Sequence, residues 1–197
     1  MQASRWSAYD ITVGALFVAL MAVGANIASV APFLSVLGVP LTLQTFFAIL
    51  AGIVLGSRLG MFSMIVYTVL GLIGAPIFSQ FSGGLGTIFS PTFGFILSYI
   101  VLAFVVGKIA ETKRSPSLYV AASLVGVALN YLIGVNLFYA AMNFWVGGDG
   151  INYVIAWSSM IPFLLKDITL AVVAGLFAYR LERSFLHRTP LRQAKVS

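Results

Sequence analysis

Hydrophobic and polar positions in this chain fall into blocks. Long apolar runs are broken by short stretches rich in glycine, proline, serine or charge. The pattern has little of the period of two expected of strands, and an apolar run of about 20 residues is what a bilayer's hydrocarbon core requires, fewer where a helix packs inside a bundle. Six runs meet that description: residues 11–30, about 41–55, 61–75, about 92–109, 118–142 and 162–181. Pro40 opens the second and suits a first helical turn. Only "GSRLG" separates the second from the third, which predicts a tight hairpin. The expected fold is an all-α membrane protein of six transmembrane helices in a single integral membrane domain spanning 1–197, with a basic tail over 182–197.

The cations support that count. Arg5 precedes the first run, Arg58 lies in the hairpin, Lys108, Lys113 and Arg114 flank the fourth connection, and Arg180, Arg183, Arg188, Arg192 and Lys195 follow the sixth run. With six spans, ten of the eleven Lys and Arg residues fall on one side and only Lys166 toward the other. The side rich in Lys and Arg is cytoplasmic by the positive-inside rule, so both termini are expected there. Five or seven spans would scatter the charges. The opposite side then carries three long connections, 31–40, 76–91 and 143–161, which are nearly free of charge. Connections of this kind are where function concentrates.

Composition narrows the class. The chain of 197 residues is 60% hydrophobic and 8% charged, with a mean hydropathy of +1.04. Soluble domains carry about 25% charged residues, so this chain cannot cover a water-facing surface. With no cysteine and one histidine, His187 in the basic tail, thiolate metal sites, disulfides and imidazole catalysis are excluded, and no metal site is expected. The net charge of +6 reads as an orientation signal touching anionic lipid, and no nucleic-acid partner is expected. Nothing at the N-terminus reads as a cleaved signal.

The connection before the fourth run holds "SQFSGGLGTIFSPTFGF". Its glycines, Gly84 and Gly86 among them, permit positive φ and let backbone approach a ligand closely. Thr87, Ser90 and Thr92 add hydroxyls without charge, while Phe81, Phe89, Phe93 and Phe95 add flat apolar surface. Pro91 and Thr92 lead into the fourth helix, whose free N–H groups would attract an anion. This composition suits a small, mostly neutral, partly ring-shaped solute with one acidic end; a structural loop capped by its own backbone is the alternative. It is not a phosphate cradle, because the lysine of a P-loop is missing, and the chain shows no ATP site.

In the sixth run, Lys166 and Asp167 lie about one turn inside the outer end. Ionisable groups there are costly and face a bundle interior or wet cavity. As sequence neighbours they point about 100° apart on a helix, which makes them two separate handles rather than partners; alternatively Lys166 snorkels to the headgroups. Ala171, Ala174, Gly175 and Ala178 form a small-residue face for close packing. The spacing Ala15-x-x-x-Ala19 in the first run suits either packing within the bundle or docking of another membrane subunit. Gln44, in "GVPLTLQTF", is costly in an apolar run unless paired with a ligand or a neighbouring helix. Asn130, Tyr131, Asn136 and Trp157 are further candidates. Asp10 and Glu111 read as edge charges with no special role.

The stretches "VPLTLQTFFAILAGIVLGSRLG" and "YTVLGLIGAPIFSQFSGGLGTIFSPTFGFILSY" resemble the BioY family, the biotin-specific S components of energy-coupling-factor vitamin transporters. The resemblance runs over about 11–181. It implies a six-helix bundle in the plasma membrane of a bacterium or archaeon, with one vitamin pocket near the outer face, roofed by the first-to-second and third-to-fourth connections. It also implies that the face around Ala15 and Ala19 docks on a transmembrane T component driven by two ABC-type ATPases. The family pattern has a glycine before the acidic residue of the sixth helix and a lysine three residues after it. Here Lys166 precedes Asp167 and Leu170 takes the later place, so whether Lys166 substitutes for that lysine is open. Biotin is thus the expected ligand, as transported solute rather than cofactor. Asp167 would accept from its ureido N–H groups, Gln44 and the loop amides would serve its carbonyl or carboxylate, and Lys166 would pair with the carboxylate. Rival readings are an S component for another vitamin, an intramembrane enzyme and a membrane scaffold. The missing cysteine, the lone tail histidine and the lack of a carboxylate pair argue against the enzyme.

Overall fold

The computed structural model describes residues 6–30, 35–36, 39–147 and 150–184. Among them are seven α-helices: α1 (Ala8–Val30), α2 (Gln44–Leu55), α3 (Ser57–Leu72), α4 (Phe93–Ala110), α5 (Pro116–Phe144), α6 (Tyr153–Ser159) and α7 (Ile161–Ser184). A two-residue antiparallel pair, β1 (Ser35–Val36) with β2 (Val39–Pro40), lies between α1 and α2. Two 3-10 turns, Ser79–Phe81 and Leu85–Phe89, lie between α3 and α4. Helices α1, α4, α5 and α7 are long and apolar enough to cross a membrane, whereas α2 and α3 are shorter apolar helices of 12 and 16 residues.

Each expected run corresponds to one long helix, with corrections at the ends. α2 starts at Gln44 rather than near Leu41, because Pro40 is held in the β pair and the Leu43 N–H donates to the Gly24 carbonyl of α1 at 2.9 Å. The "GSRLG" hairpin is a single residue, Gly56, at φ +81°; α3 begins at once with Ser57 and ends at Leu72, short of the expected Ala75. A residue with a Cβ resists that backbone conformation. α6 lies inside a stretch expected to be loop, started by Asn152, whose side chain accepts from the Val154 N–H at 2.9 Å.

The bundle closes around α2, which is buried along most of its length and packs on α1, α3, α4 and α7. Close approach depends on missing side chains. A Cβ on Gly107 of α4 would fall 2.5 Å from Ser57 Cα and 2.8 Å from the Gly52 carbonyl oxygen. On α7, Ala171, Ala174 and Ala178 are fully buried, and a Cβ on Gly175 would lie 2.8 Å from the Val120 backbone of α5. The small-residue face of this helix is therefore a packing face. On α1 the outcome differs: Gly14 packs on Ser63 of α3, while Ala15 and Ala19 are exposed beside Leu16 and Val23.

One end of the bundle gathers charge. Glu111, from the end of α4, accepts from the Ser57 N–H at 2.9 Å and from the Ser57 hydroxyl at 3.1 Å, and so caps α3 from another helix. Arg114 pairs with the buried Glu182 of α7 at 3.1 Å, and the Tyr119 hydroxyl of α5 donates to the same carboxylate. Ser7 and Asp10 form a reciprocal cap on α1 at 2.8 and 3.2 Å. Asp10 and Glu111 thus do have roles, both as helix caps. Arg58, Lys108, Lys113, Arg114, Arg180 and Arg183 belong to this end. Arg5, His187, Arg188, Arg192 and Lys195 lie outside the described residues, as do parts of the 31–40 connection.

The backbone contact at Gly107 gives a direct test. Gly107→Ala should lower stability in detergent by about 2 kcal/mol. Gly86→Ala, where a Cβ meets open space, should be close to neutral. Thermal unfolding of the two variants beside wild type measures the difference.

Candidate functional site

The other end opens into a chamber of about 760 Å³, in the range that binds small organic ligands. Four helices and one loop build it, each through residues at helical spacing. α2 contributes Gln44 and Thr45. α4 contributes Phe95, Ile96 and Tyr99, continuing from Thr92. α5 contributes Asn130 and Tyr131, and α7 contributes Phe163, Lys166 and Asp167. The connection between α3 and α4 covers it with Phe78, Ser79, Gln80, Ser82, Gly86, Thr87, Phe89 and Ser90.

That loop is fastened from below. Phe78 is 2% exposed and lies over Gly71, where any side chain would collide with its ring. The Asn26 carbonyl oxygen of α1 accepts from the Phe81 N–H at 2.6 Å, which supports the left-handed backbone of Gln80 and Phe81 at φ 59° and 54°. The Tyr67 hydroxyl donates to the Ile77 carbonyl at 2.9 Å and accepts from the Gln44 amide at 3.0 Å. Gln44 therefore both faces the chamber and pairs with a neighbouring helix. Trp145, after α5, donates to the Phe89 carbonyl at 3.2 Å.

The floor carries the charge. Asp167 is buried, and its Oδ2 accepts from the Tyr131 hydroxyl at 2.9 Å. Lys166 Nζ lies 3.0 Å from Asp167 Oδ1 and donates to the Thr42 carbonyl at 2.7 Å. The contact with Oδ1 lacks the alignment of a hydrogen bond, so Oδ1 is buried without a hydrogen-bond donor. Lys166 and Asp167 are thus partners, against the expectation of two separate handles. Their Cα–Cβ vectors diverge, but the long ammonium arm folds back across the angle. Ser79 Oγ, also in the chamber wall, is a second buried polar atom without a partner. Asn130 is buried, and its amide carbonyl is held by the Ser98 hydroxyl. Two orphan polar atoms in one cavity are what a polar ligand would satisfy.

Of the residues singled out from sequence, Gln44, Gly86, Thr87, Ser90, Thr92, Asn130, Tyr131, Lys166 and Asp167 line this chamber. Gly84 does not: at φ +92° it makes the turn that lets its N–H reach the Gly71 carbonyl at 2.7 Å. Trp157 lies instead in an apolar groove with Tyr153, Val154 and Leu164, separated from the chamber by Tyr131. The N-terminus of α4 is no open anion site either, since the Phe93 and Phe95 N–H groups donate to the Ser90 and Thr92 carbonyls at 3.1 Å. Thr42, Thr45, Ser79, Tyr99 and Phe163 were not singled out. A helical signal existed for two of them: Tyr99 stands seven residues beyond Thr92, and Phe163 four before Asp167, each on the same face.

The clasp on Asp167 predicts an effect on the ligand-free protein. Tyr131→Phe removes the donor to Oδ2 and should cost about 2 kcal/mol, read as a lowered unfolding midpoint in detergent without ligand.

Comparison with known proteins places this architecture. Residues 1–187 match the model of the BioY family. BioYB of Bacillus subtilis is 43% identical over 100% of this chain and 99% of its own length. The biotin transporter BioY of Thermotoga maritima is 36% identical over 88% of this chain and 95% of its own. Among solved structures, the S-component for biotin from an ECF-type ABC transporter superposes with a TM-score of 0.77. It is 19% identical, with 93% of this chain and 96% of that one covered.

Proposed function

The chain belongs to the BioY family, and on that premise we propose that it is the biotin-binding specificity subunit of an energy-coupling-factor uptake system. The observation that carries the ligand assignment is Asp167 Oδ1, a buried carboxylate oxygen in the chamber wall with an ammonium 3.0 Å away and no hydrogen-bond donor. A ureido ring presents N–H and C=O side by side on one edge. A carboxylate oxygen and an ammonium at this spacing match that edge, Asp167 accepting and Lys166 donating. Phe95, Phe163 and Tyr99 supply apolar and aromatic surface for the fused rings. Burial of an uncharged bicycle with charge-assisted hydrogen bonds supports nanomolar affinity, on the order of −12 kcal/mol.

The chamber end faces the cell exterior and the charged end the cytoplasm, with six spans in one membrane domain and both termini inside. The gathering of the described cations at one end, with Lys166 at the other, supports this orientation. The membrane is the plasma membrane of a bacterium or archaeon. The chain has no nucleotide-binding motif, so energy comes from a transmembrane T component and two ABC-type ATPases. Exposed Ala15 and Ala19 on α1 offer the T component a shallow surface for close helix approach. Family membership sets the enzyme and scaffold readings aside; another vitamin is the rival that binding experiments decide.

Two measurements test the proposal. Equilibrium binding of biotin to the detergent-solubilised protein should be tight, and Asp167→Asn should weaken it at least tenfold, about 1.4 kcal/mol. Unchanged affinity would discard the hydrogen-bond assignment, and no binding by folded wild type would discard biotin. Ala15→Trp with Ala19→Trp should leave biotin binding within about twofold while abolishing uptake in cells that supply the energising subunits. The binding half of that result separates docking from folding.

A further inference from the structure

The charge around the chamber is distributed unevenly, and this bears on which ligands it accepts. The argument rests on the biotin reading above. Between Arg58 and Lys108, and again between Arg114 and Asp149, the chain has no charged residue, and none occurs in residues 31–40. Lys166 and Asp167 are accordingly the only charged residues lining the chamber. Lys166 is committed at that pair, held between Asp167 Oδ1 at 3.0 Å and the Thr42 carbonyl at 2.7 Å. If the ureido edge sits on this pair, the ligand's acid points away from it, since the two ends of biotin are separated by the bicycle and a four-carbon arm. What it meets is the α3–α4 connection. There the polar groups are neutral: the Ser79 hydroxyl, buried without a partner, then Gln80, Thr87 and Ser90. The α4 N-terminus adds little, because the Phe93 and Phe95 N–H groups are already used. Gln80, Ser82, Gly86 and Phe89 are exposed, so this cover is open to solvent and a longer tail has a way out.

We propose that the site selects the ureido bicycle and is indifferent to the ionisation of the ligand's acid, so that carboxyl-capped biotin, including biotin amide and biotinyl-lysine, is a ligand of the same chamber. A cation on the carboxylate would make the acid indispensable. Hydrogen bonds to charged groups contribute about 1.5–3 kcal/mol each, which is tenfold or more in affinity. Neutral hydroxyls bind a carboxylate and a primary amide with similar strength, one accepting and the other both accepting and donating.

The test is competition against labelled biotin on the purified full chain in detergent. The competitors are biotin, biotin amide, biotinyl-lysine and lipoic acid, which has a sulfur ring and the same acid arm but no ureido group. The expected result is that the amide and the lysine conjugate bind within about threefold of biotin while lipoic acid fails to compete. Biotin binding with the amide weaker by tenfold or more would overturn the inference and leave the biotin reading intact. Competition by lipoic acid would overturn it too, by locating recognition at the acid. No biotin binding would overturn the ligand reading and this inference together. Lys166→Met separates the two arrangements further: it should weaken biotin and biotin amide equally, whereas loss for biotin alone would place the ammonium on the carboxylate.

Discussion

A carboxylate buried in an apolar helical bundle is the constraint around which this molecule's working end is arranged. Removing one ionised group from water costs several kcal/mol even after relaxation, a sum comparable with the net stability of many whole domains. Asp167 therefore needs partners, and it draws them from separate parts of the chain. Tyr131 clasps one oxygen from α5. Lys166 covers the other from α7 and reaches the Thr42 carbonyl just ahead of α2. The neutralised pair thereby ties three elements together at the floor of the chamber. Satisfaction stops one bond short, because Oδ1 has charge compensation but no hydrogen bond. A group left in that condition favours whatever brings an N–H donor to it, so the arrangement that makes the charge tolerable also makes it a receptor.

The rest of the bundle explains why this chamber forms at one end only. Where α2, α3 and α4 meet at Gly52, Ser57 and Gly107, backbones touch and no space is left. The neighbouring connections are then so tight that their polar groups must be served by side chains from other helices, as Glu111 serves Ser57. Toward the opposite end the contacts pass from glycine to larger residues, including Phe95, Tyr99, Tyr131 and Phe163, and the helix walls stand apart. The gap is spanned by a loop whose fastening points are Phe78 seated over Gly71 and Phe81 held by Asn26. A firm base and a tethered cover follow from where the small residues fall along each helix.

Much of this was legible before the coordinates. The apolar blocks located all six long helices, because a span announces itself by composition, and the intramembrane charges Lys166 and Asp167 marked the site, because nothing but function or pairing offsets their cost. The errors came from interactions between distant segments. The starts of α2 and α3 depend on Gly24 and Glu111, and no local pattern encodes either contact. Gly84 and Gly86 look alike in sequence, yet only Gly84 has a partner, the Gly71 carbonyl, that makes it a turn residue. Trp157 was misplaced because α6 was not foreseen; a seven-residue helix carries too little periodicity to be seen, and it turns that ring into a separate groove.

Lys166 shows how far a positional argument on a helix can be pressed. Successive side chains leave the axis about 100° apart, which separates short residues but not a lysine, whose four-carbon arm can fold back over its neighbour. The relevant comparison is between the entropy of holding that arm, about 2 kcal/mol, and the larger cost of leaving a buried carboxylate uncompensated. The second is greater, so the arm folds back. Once it does, the only cation at this end of the molecule is committed beside the carboxylate. Everything else that lines the chamber must then recognise its ligand through neutral hydroxyls, amides and aromatic faces, which explains why the loop covering it carries no charge at all.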